Sequence, residues 1–252
     1  MEINKNDLII LGEHRLLCSD CTNPANLKKL MGDEKIKSII SDVPYGIAVK
    51  DSKDYMKSGS ENKAIINDQL QTEEQYTKFM RDWLSIIKPY LESYNSYYIF
   101  NADKMVFALK DALDQENFHF AQLLIWIKNH AVVGRLDYLP QHELICYGWF
   151  GKHRFRRSKD KSLLYYPKPN KSKLHITMKP VGLIRNLILN STEIGEIVYD
   201  GFLGSGTAIV ACDNTKRRCF GMEIDLDHCA TIVKRYEKLT GLKARKEESG
   251  QE

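Results

Sequence analysis

Short apolar runs of strand type alternate along this chain with stretches of helical period, and no other feature restricts its fold as tightly. Strands are predicted at Ile36–Ser41, Tyr97–Phe100, Leu123–Ile127, Glu143–Trp149, Glu196–Asp200 and Cys219–Ile224, with strand-like pieces around Gly12 in Leu8–Leu17. The helical patterns fall between them. Asn23-Pro24 opens a short helix carrying Leu27, Leu30 and Met31. Thr72-Glu73-Glu74-Gln75 has the spacing of a capping box. The helix it opens sets Tyr76, Phe79, Met80, Trp83, Ile86 and Ile87 at three- and four-residue intervals, and Pro89 should end it. Further helices are predicted over Ala102–Leu113, from Lys179-Pro180-Val181 with Pro180 in the first helical position, over Thr207–Asn214, and over His228–Leu239 up to Gly241. Strands alternating with helices imply an α/β fold: a doubly wound, mostly parallel sheet covered by helices on both faces.

With 252 residues the chain is long enough for one sizeable core, and a single domain over residues 1–252 is expected. The most apolar run, Leu123–Ile127, is far too short to span a bilayer. The first residues have neither the basic start nor the apolar core of a signal peptide. A cytoplasmic protein without a membrane partner is the expectation. Cys18 and Cys21 form one C-x-x-C, but a structural zinc would want a second pair, so they are read as small buried residues and no metal is expected. Charge is placed unevenly. Nine Lys/Arg against the single Asp160 lie between Lys152 and Lys173, so a chain of net charge +4 is about −4 elsewhere. Such asymmetry suggests a polyanion partner.

Two strand exits carry the chemistry. Ile36–Ser41 runs into Asp42-Val43-Pro44-Tyr45, which puts an acid, a proline and an aromatic where a buried strand becomes a loop. In open α/β sheets ligands bind at such strand ends. Far downstream, Asp200-Gly201-Phe202-Leu203-Gly204-Ser205-Gly206 lies between a strand and the helix that begins at Thr207. Glycines there let the backbone approach a ligand closely and aim the helix N-terminus at it. Glu223 ends the next strand, at a distance that suits hydrogen bonds to ribose hydroxyls.

With these residues the chain resembles the β-class DNA amino-methyltransferases, the N6-adenine/N4-cytosine DNA methylase family that uses S-adenosyl-L-methionine (AdoMet). In that family a D-P-P-Y motif precedes an F-x-G-x-G motif, as Asp42-Val43-Pro44-Tyr45 here precedes Phe202-Leu203-Gly204-Ser205-Gly206. The likeness extends to Asn67-Asp68, Trp126-Ile127-Lys128-Asn129, Gln141-His142-Glu143, His175-Ile176-Thr177-Met178-Lys179-Pro180 and Gly221-Met222-Glu223-Ile224-Asp225. It implies an AdoMet-dependent methyltransferase sheet with a small basic recognition insertion over residues 150–175 and a mobile loop over 48–66. It implies transfer to adenine N6 of a base flipped out of DNA. The Asp42 carboxylate and the Val43 carbonyl would grip the amine, Pro44 would shape the turn, and Tyr45 would offer a ring face to the base. Asp42, where cytosine-N4 enzymes usually carry Ser, favours adenine.

For the cofactor the resemblance implies Asp20, Thr177, Lys179, Asp200, Phe202, Gly204, Ser205, Gly206, Thr207 and Glu223. Phe202 would lie against the methionine part, Glu223 on the ribose, Asp20 near the adenine, and Thr177 and Lys179 near the carboxylate end. Lys152, Arg154, Arg156, Arg157 and Lys159 are the expected DNA contacts. Double-stranded DNA is the implied partner, the likeness leans toward a homodimer, and a cognate restriction endonuclease is a further partner the sequence does not identify. Two departures stand out: Val43 replaces the family's first proline, and Gly201 replaces the proline usual after the cofactor-site Asp. They keep a silent DNA-binding relative as a rival reading, beside N4-cytosine transfer on the same fold.

Overall fold

The computed structural model describes residues 1–46, 71–131, 137–156, 159–168 and 178–247. The loop expected over 48–66 lies outside them, as do Asn67, Asp68, Arg157 and Thr177. Ten strands form one sheet: β1 (Leu8–Leu11), β2 (His14–Leu17), β3 (Ile36–Asp42), β4 (Leu91–Asn101), β5 (Phe118–Ile127), β6 (His142–Phe150), β7 (Leu163–Tyr165), β8 (Ile197–Asp200), β9 (Arg218–Met222) and β10 (Arg245–Lys246). Their order in space is β10-β1-β2-β9-β8-β3-β4-β6-β5-β7. From β2 to β4 the strands are parallel. Antiparallel β6 lies between β4 and β5, and β7 adds parallel to β5.

Among the described residues six helices cover the sheet: α1 (Pro24–Met31), α2 (Glu73–Ile87), α3 (Val106–Gln115), α4 (Val181–Ser191), α5 (Thr207–Thr215) and α6 (Leu226–Thr240). Successive strand residues point to opposite faces. Ile39, Tyr97, Ile99, Tyr199 and Phe220 pack under α1, α2 and α3. Their neighbours Ile40, Tyr98, Phe100, Val198 and Cys219 pack under α4, α5 and α6. Burial on both faces is why these strands read as continuous apolar runs. No helix among the described residues is long and apolar enough to cross a membrane.

Local signals set several boundaries. Thr72 and Gln75 close the capping box at the start of α2. The α-helix stops at Ile87, and Lys88-Pro89-Tyr90 forms a 3-10 turn because Pro89 has no amide to continue the ladder. Gly241 ends α6 in the left-handed region at φ +75°. The sequence pattern predicts no strand in the basic stretch, yet β7 forms there, burying Leu164 against the sheet. A three-residue strand has too short a pattern to read. Cys18 and Cys21 are both buried and free, and pack on opposite faces of the sheet.

From β8 the chain crosses through α5 to β9, and from β3 through α2 to β4, in opposite directions along the sheet. The crevice at the C-terminal ends of β8 and β3 is therefore the topological switch point, where ligands of open α/β sheets bind.

Candidate active site

The two predicted turns meet at this crevice. Asp42 and Asp200 are the last residues of neighbouring β3 and β8. Buried Ser41 joins them: its Oγ donates to Asp200 Oδ1 at 2.8 Å and accepts from the Gly201 amide at 3.0 Å. The Phe202 amide donates to the same Asp200 oxygen at 3.0 Å. Nothing about Ser41 in the sequence marks this role except its place beside Asp42.

Beyond Asp200 the turn is shaped for close approach. Gly204 and Gly206 hold φ of +51° and +74°. A Cβ at Gly206 would stand 3.0 Å from Ile232 Cγ1, so the turn lies against α6 without room for a side chain. Buried Ser205 and Thr207 face each other at 3.2 Å between hydroxyls, and Arg235 reaches over from α6 to donate to the Ser205 carbonyl at 2.8 Å. Glu223, just past β9, accepts from the Gly204 amide at 2.7 Å and the Asp225 amide at 2.9 Å. Asp20, in the loop after β2, accepts from the Thr22 amide and hydroxyl at 2.9 and 2.8 Å, a turn that leaves it on the same sheet edge. Phe202 packs against Trp83, ring centres 5.3 Å apart.

Burial, with no cation beside it among the described residues, governs Asp200. It pushes the carboxyl up to about 7, against the pull of its bonds from Phe202 and Ser41. The residues that depart from the family pattern are accommodated by packing. Val43 is buried beneath α2, which anchors the turn by its side chain. At Gly201 a Cβ would lie 3.0 Å from Trp83 Nε1 and 3.1 Å from the Tyr199 hydroxyl, so the ring of Trp83 occupies the space a proline would need.

Around Asp42 the structure assembles a charged cluster that the sequence only partly announced. Its Oδ2 lies 2.5 Å from Lys179 Nζ, and its Oδ1 accepts from the Tyr45 hydroxyl at 2.8 Å. Glu143, at the start of β6, takes the same two donors on Oε2: Lys179 at 3.0 Å and Tyr45 at 3.2 Å. Its Oε1 faces Lys128 Nζ at 2.8 Å. The rings of Phe100, Tyr45 and Trp126 surround the Lys179 ammonium at 5.2, 5.8 and 5.9 Å. Two cations and two carboxylates thus balance in a crowded site.

Burial raises the Asp42 carboxyl, Lys179 opposes it, and Glu143 adds to the rise. Burial alone would raise Glu143 too, but Lys179 and Lys128 hold it down at about 2. Burial would lower Lys179, yet the two carboxylates keep its ammonium above the usual range. The Tyr45 phenol is held well above its ordinary value by burial and both carboxylates, so it stays a donor.

Lys179, expected at the carboxylate end of a cofactor, therefore reaches Asp42 and Glu143. Lys128 and Glu143 lie in stretches that carry the family likeness, but nothing in the sequence marked their pairing with each other or with Lys179. His142, beside Glu143 in β6, is exposed.

Of the basic residues predicted to meet DNA, Lys152 and Arg156 lie at the opposite edge of the sheet. β6 runs from Glu143 away from the site, and eight residues of strand span roughly 25 Å. Lys152 pairs with Tyr94 at the opposite edge of the sheet. Arg156 sits there as well: its guanidinium reaches Glu193 and Glu196, next to the start of β8, and its amide bonds Asn190 O. Arg154 is exposed between them, and Lys159 is exposed in a left-handed turn. After β7 the chain returns to the site edge, where the Lys168 amide donates to Asn129 Oδ1 at 2.9 Å.

Fold and site together define an α/β enzyme whose chemistry sits at the switch point, with a glycine-rich turn on one side and an acid–proline–aromatic turn on the other. A family model described as DNA methylase, the N6/N4 methyltransferase family, matches residues 36–234. The chain belongs to that DNA methylase family. It is 26% identical to the type II methyltransferase M.HpaI of Haemophilus parainfluenzae, over 86% of this chain and 72% of that one. It is 23% identical to the type II methyltransferase M2.DpnII of Streptococcus pneumoniae, over 82% and 84%. Among solved structures, the M1.HpyAVI–SAM complex superposes with a TM-score of 0.67 at 20% identity, covering 87% of this chain and 97% of that one. The cytosine-N4-specific PvuII DNA methyltransferase does so with a TM-score of 0.67 at 14% identity, covering 90% and 89%. These two likenesses establish the fold.

Proposed function

We propose that this DNA methyltransferase moves the methyl group of S-adenosyl-L-methionine to N6 of an adenine turned out of double-stranded DNA. One observation carries the reading: Ser41 ties the Asp42 turn to the Asp200–Gly206 turn, so an amine acceptor and a glycine-rich cradle share one crevice. The residues present fit the cofactor. Gly204 and Gly206 bring bare backbone to the crevice, Glu223 and Asp20 line the strand ends next to it, and buried Asp200 carries a carboxyl without a cation. S-adenosyl-L-methionine supplies an electrophilic methyl on a sulfonium.

The rest falls to the chain's own groups. The adenine amine is a poor nucleophile because its lone pair is delocalised into the ring. Asp42 and the Val43 carbonyl accept its two protons and favour a pyramidal nitrogen, and the rate gain is positional and electrostatic. A carboxylate has about four acceptor sites, so Asp42 can take an amine proton beside its present partners. Its raised pKa suits it to receive the proton that the methylated nitrogen releases. Tyr45 stacks on the target base while its hydroxyl keeps within reach of the two carboxylates.

The acid in place of the serine of cytosine-N4 enzymes supports adenine. Buried Val43 and the fit of Gly201 to Trp83 compensate both departures from the family pattern, which favours an active enzyme over a silent relative. Base insertion takes place at the site edge. Lys152 and Arg154 are left for phosphates flanking the target, and Arg156 serves as a brace to Glu193.

Nucleoside mass spectrometry on DNA from cells expressing the chain, beside Asp42→Ala, tests the reading. N6-methyladenine that depends on Asp42 supports it. N4-methylcytosine would change the base, and neither mark would sink the proposal.

A further inference from the structure

Each donor that holds Asp42 is forked. Lys179 Nζ lies 2.5 Å from Asp42 and 3.0 Å from Glu143, and the Tyr45 hydroxyl is 2.8 Å from Asp42 and 3.2 Å from Glu143. Both forks end on one atom, Glu143 Oε2. Lys128 fixes that carboxylate from the other side through Oε1. Such a circuit exceeds what a structural pair would need. It also answers a problem set by the proposed chemistry. An amine that enters to donate to Asp42 competes there with Lys179 and Tyr45, and a buried donor that it displaces costs about 1–3 kcal/mol if left without an acceptor. Glu143 is the acceptor to which Tyr45 and Lys179 can swing.

We propose that Glu143 is a positioning residue of the methyl transfer: anchored by Lys128, it takes over Lys179 and Tyr45 as the target amine claims Asp42. The inference rests on the reading of Asp42 as amine acceptor. Glu143 touches no reacting atom; it acts through the two donors. Among the described residues, the groups that act on Asp42 are Tyr45 after β3, Glu143 at the start of β6 and Lys179 before α4, with Lys128, after β5, holding Glu143 and Asp200 at the end of β8 beside them. Removing the Glu143 charge leaves Lys179 to Asp42 alone and lowers the Asp42 carboxyl; removing Lys179 raises it.

The test uses the full chain, duplex DNA and the variants Glu143→Gln and Lys179→Met. For Glu143→Gln, kcat should fall on the order of 10²-fold, with AdoMet affinity unchanged and the acid limb of the kcat–pH profile moved to lower pH. In Lys179→Met that limb should move to higher pH. Limbs that stay put, or move together, would overturn the inference, as would a parallel loss of AdoMet binding in Glu143→Gln. A second readout needs no turnover: the Asp42 carbon-13 carboxyl titration in the folded protein, assigned by its disappearance in Asp42→Asn. Its midpoint should drop in Glu143→Gln and rise in Lys179→Met, and any other pattern contradicts the circuit. If the unsubstituted chain methylates no DNA, the transfer reading fails. If it methylates and the midpoints do not move in opposite directions, only the role of Glu143 fails.

Discussion

Asp42 and Asp200 end adjacent parallel strands, each opens a turn at the same crevice, and one serine hydroxyl lies between them, yet their surroundings differ in kind. Asp42 meets a cation and a phenol, and a second carboxylate competes for both. Among the described residues Asp200 meets only neutral donors, a hydroxyl and a backbone amide. The first is balanced within the protein, where Lys179 and Tyr45 oppose the rise that burial and Glu143 impose. The second is buried uncompensated, and its carboxyl rises to about 7. A carboxylate with its counter-charge built in is ready to accept protons from a neutral amine. One without gains most from a cation that a ligand brings, and the methionine ammonium of AdoMet is such a group.

Substitutions sharpen this contrast in order of expected size. Asp42→Ala should cut methyl transfer by about 10³-fold or more, the scale of a lost positioned acceptor. AdoMet affinity by calorimetry should change little, and parallel losses would erase the distinction between the two acids. Asp200→Asn should weaken AdoMet binding about 10–100-fold at pH 8, as loss of a charge-assisted bond would. In the unsubstituted protein that affinity should rise with pH through about 7, where Asp200 ionises, and flatten in the variant.

The cofactor-free protein gives a third check. A carboxyl raised in the folded state stabilises fully below its unfolded value of 3.8, and that contribution is lost as pH rises through about 7. Urea unfolding should therefore show Asp200→Asn gaining on the unsubstituted chain between pH 5 and pH 8, by an amount on the order of 2 kcal/mol. A constant difference would mean that Asp200 is not raised. Ser41→Ala comes next, since it strips one bond from Asp200 and one from the Gly201 amide. About 1–3 kcal/mol of unfolding free energy should go.

The smallest effect belongs to the far edge, which carries ion pairs without a crevice. Arg156→Gln should cost less than about 1 kcal/mol, as for a largely surface pair. The salt slope of DNA binding should stay the same in that variant. Replacing Lys152 and Arg154 together with Ala should flatten the slope by up to about 2. An equal slope change in Arg156→Gln would return that residue to the DNA.

Much of this was legible in the chain. The strands between β2 and β4 announced themselves because both their faces are buried, which leaves unbroken apolar runs. Ends were less certain: β4 begins at Leu91, six residues before the apolar core Tyr97–Phe100 that marks it, because Leu91 to Ser96 is largely polar and offers no apolar run to read. The two turns were legible because acid, glycine and proline at a strand exit have few other uses. Charge counting also revealed the basic stretch, though not its division between two edges, since a count carries no direction.

The sequence by itself thus determined the strand and helix pattern, the family, and the two turns that face one another, because period and turn chemistry are local properties. Only the tertiary structure decided what the charges do. Lys179 meets a carboxylate 137 positions away, Ser41 one 159 positions away, and Glu143 joins through a reversed strand inserted between two others. Coulomb and hydrogen-bond partners are chosen by distance in space, and β6, running against its neighbours, brings Glu143 to the site while carrying Lys152 and Arg156 to the opposite edge.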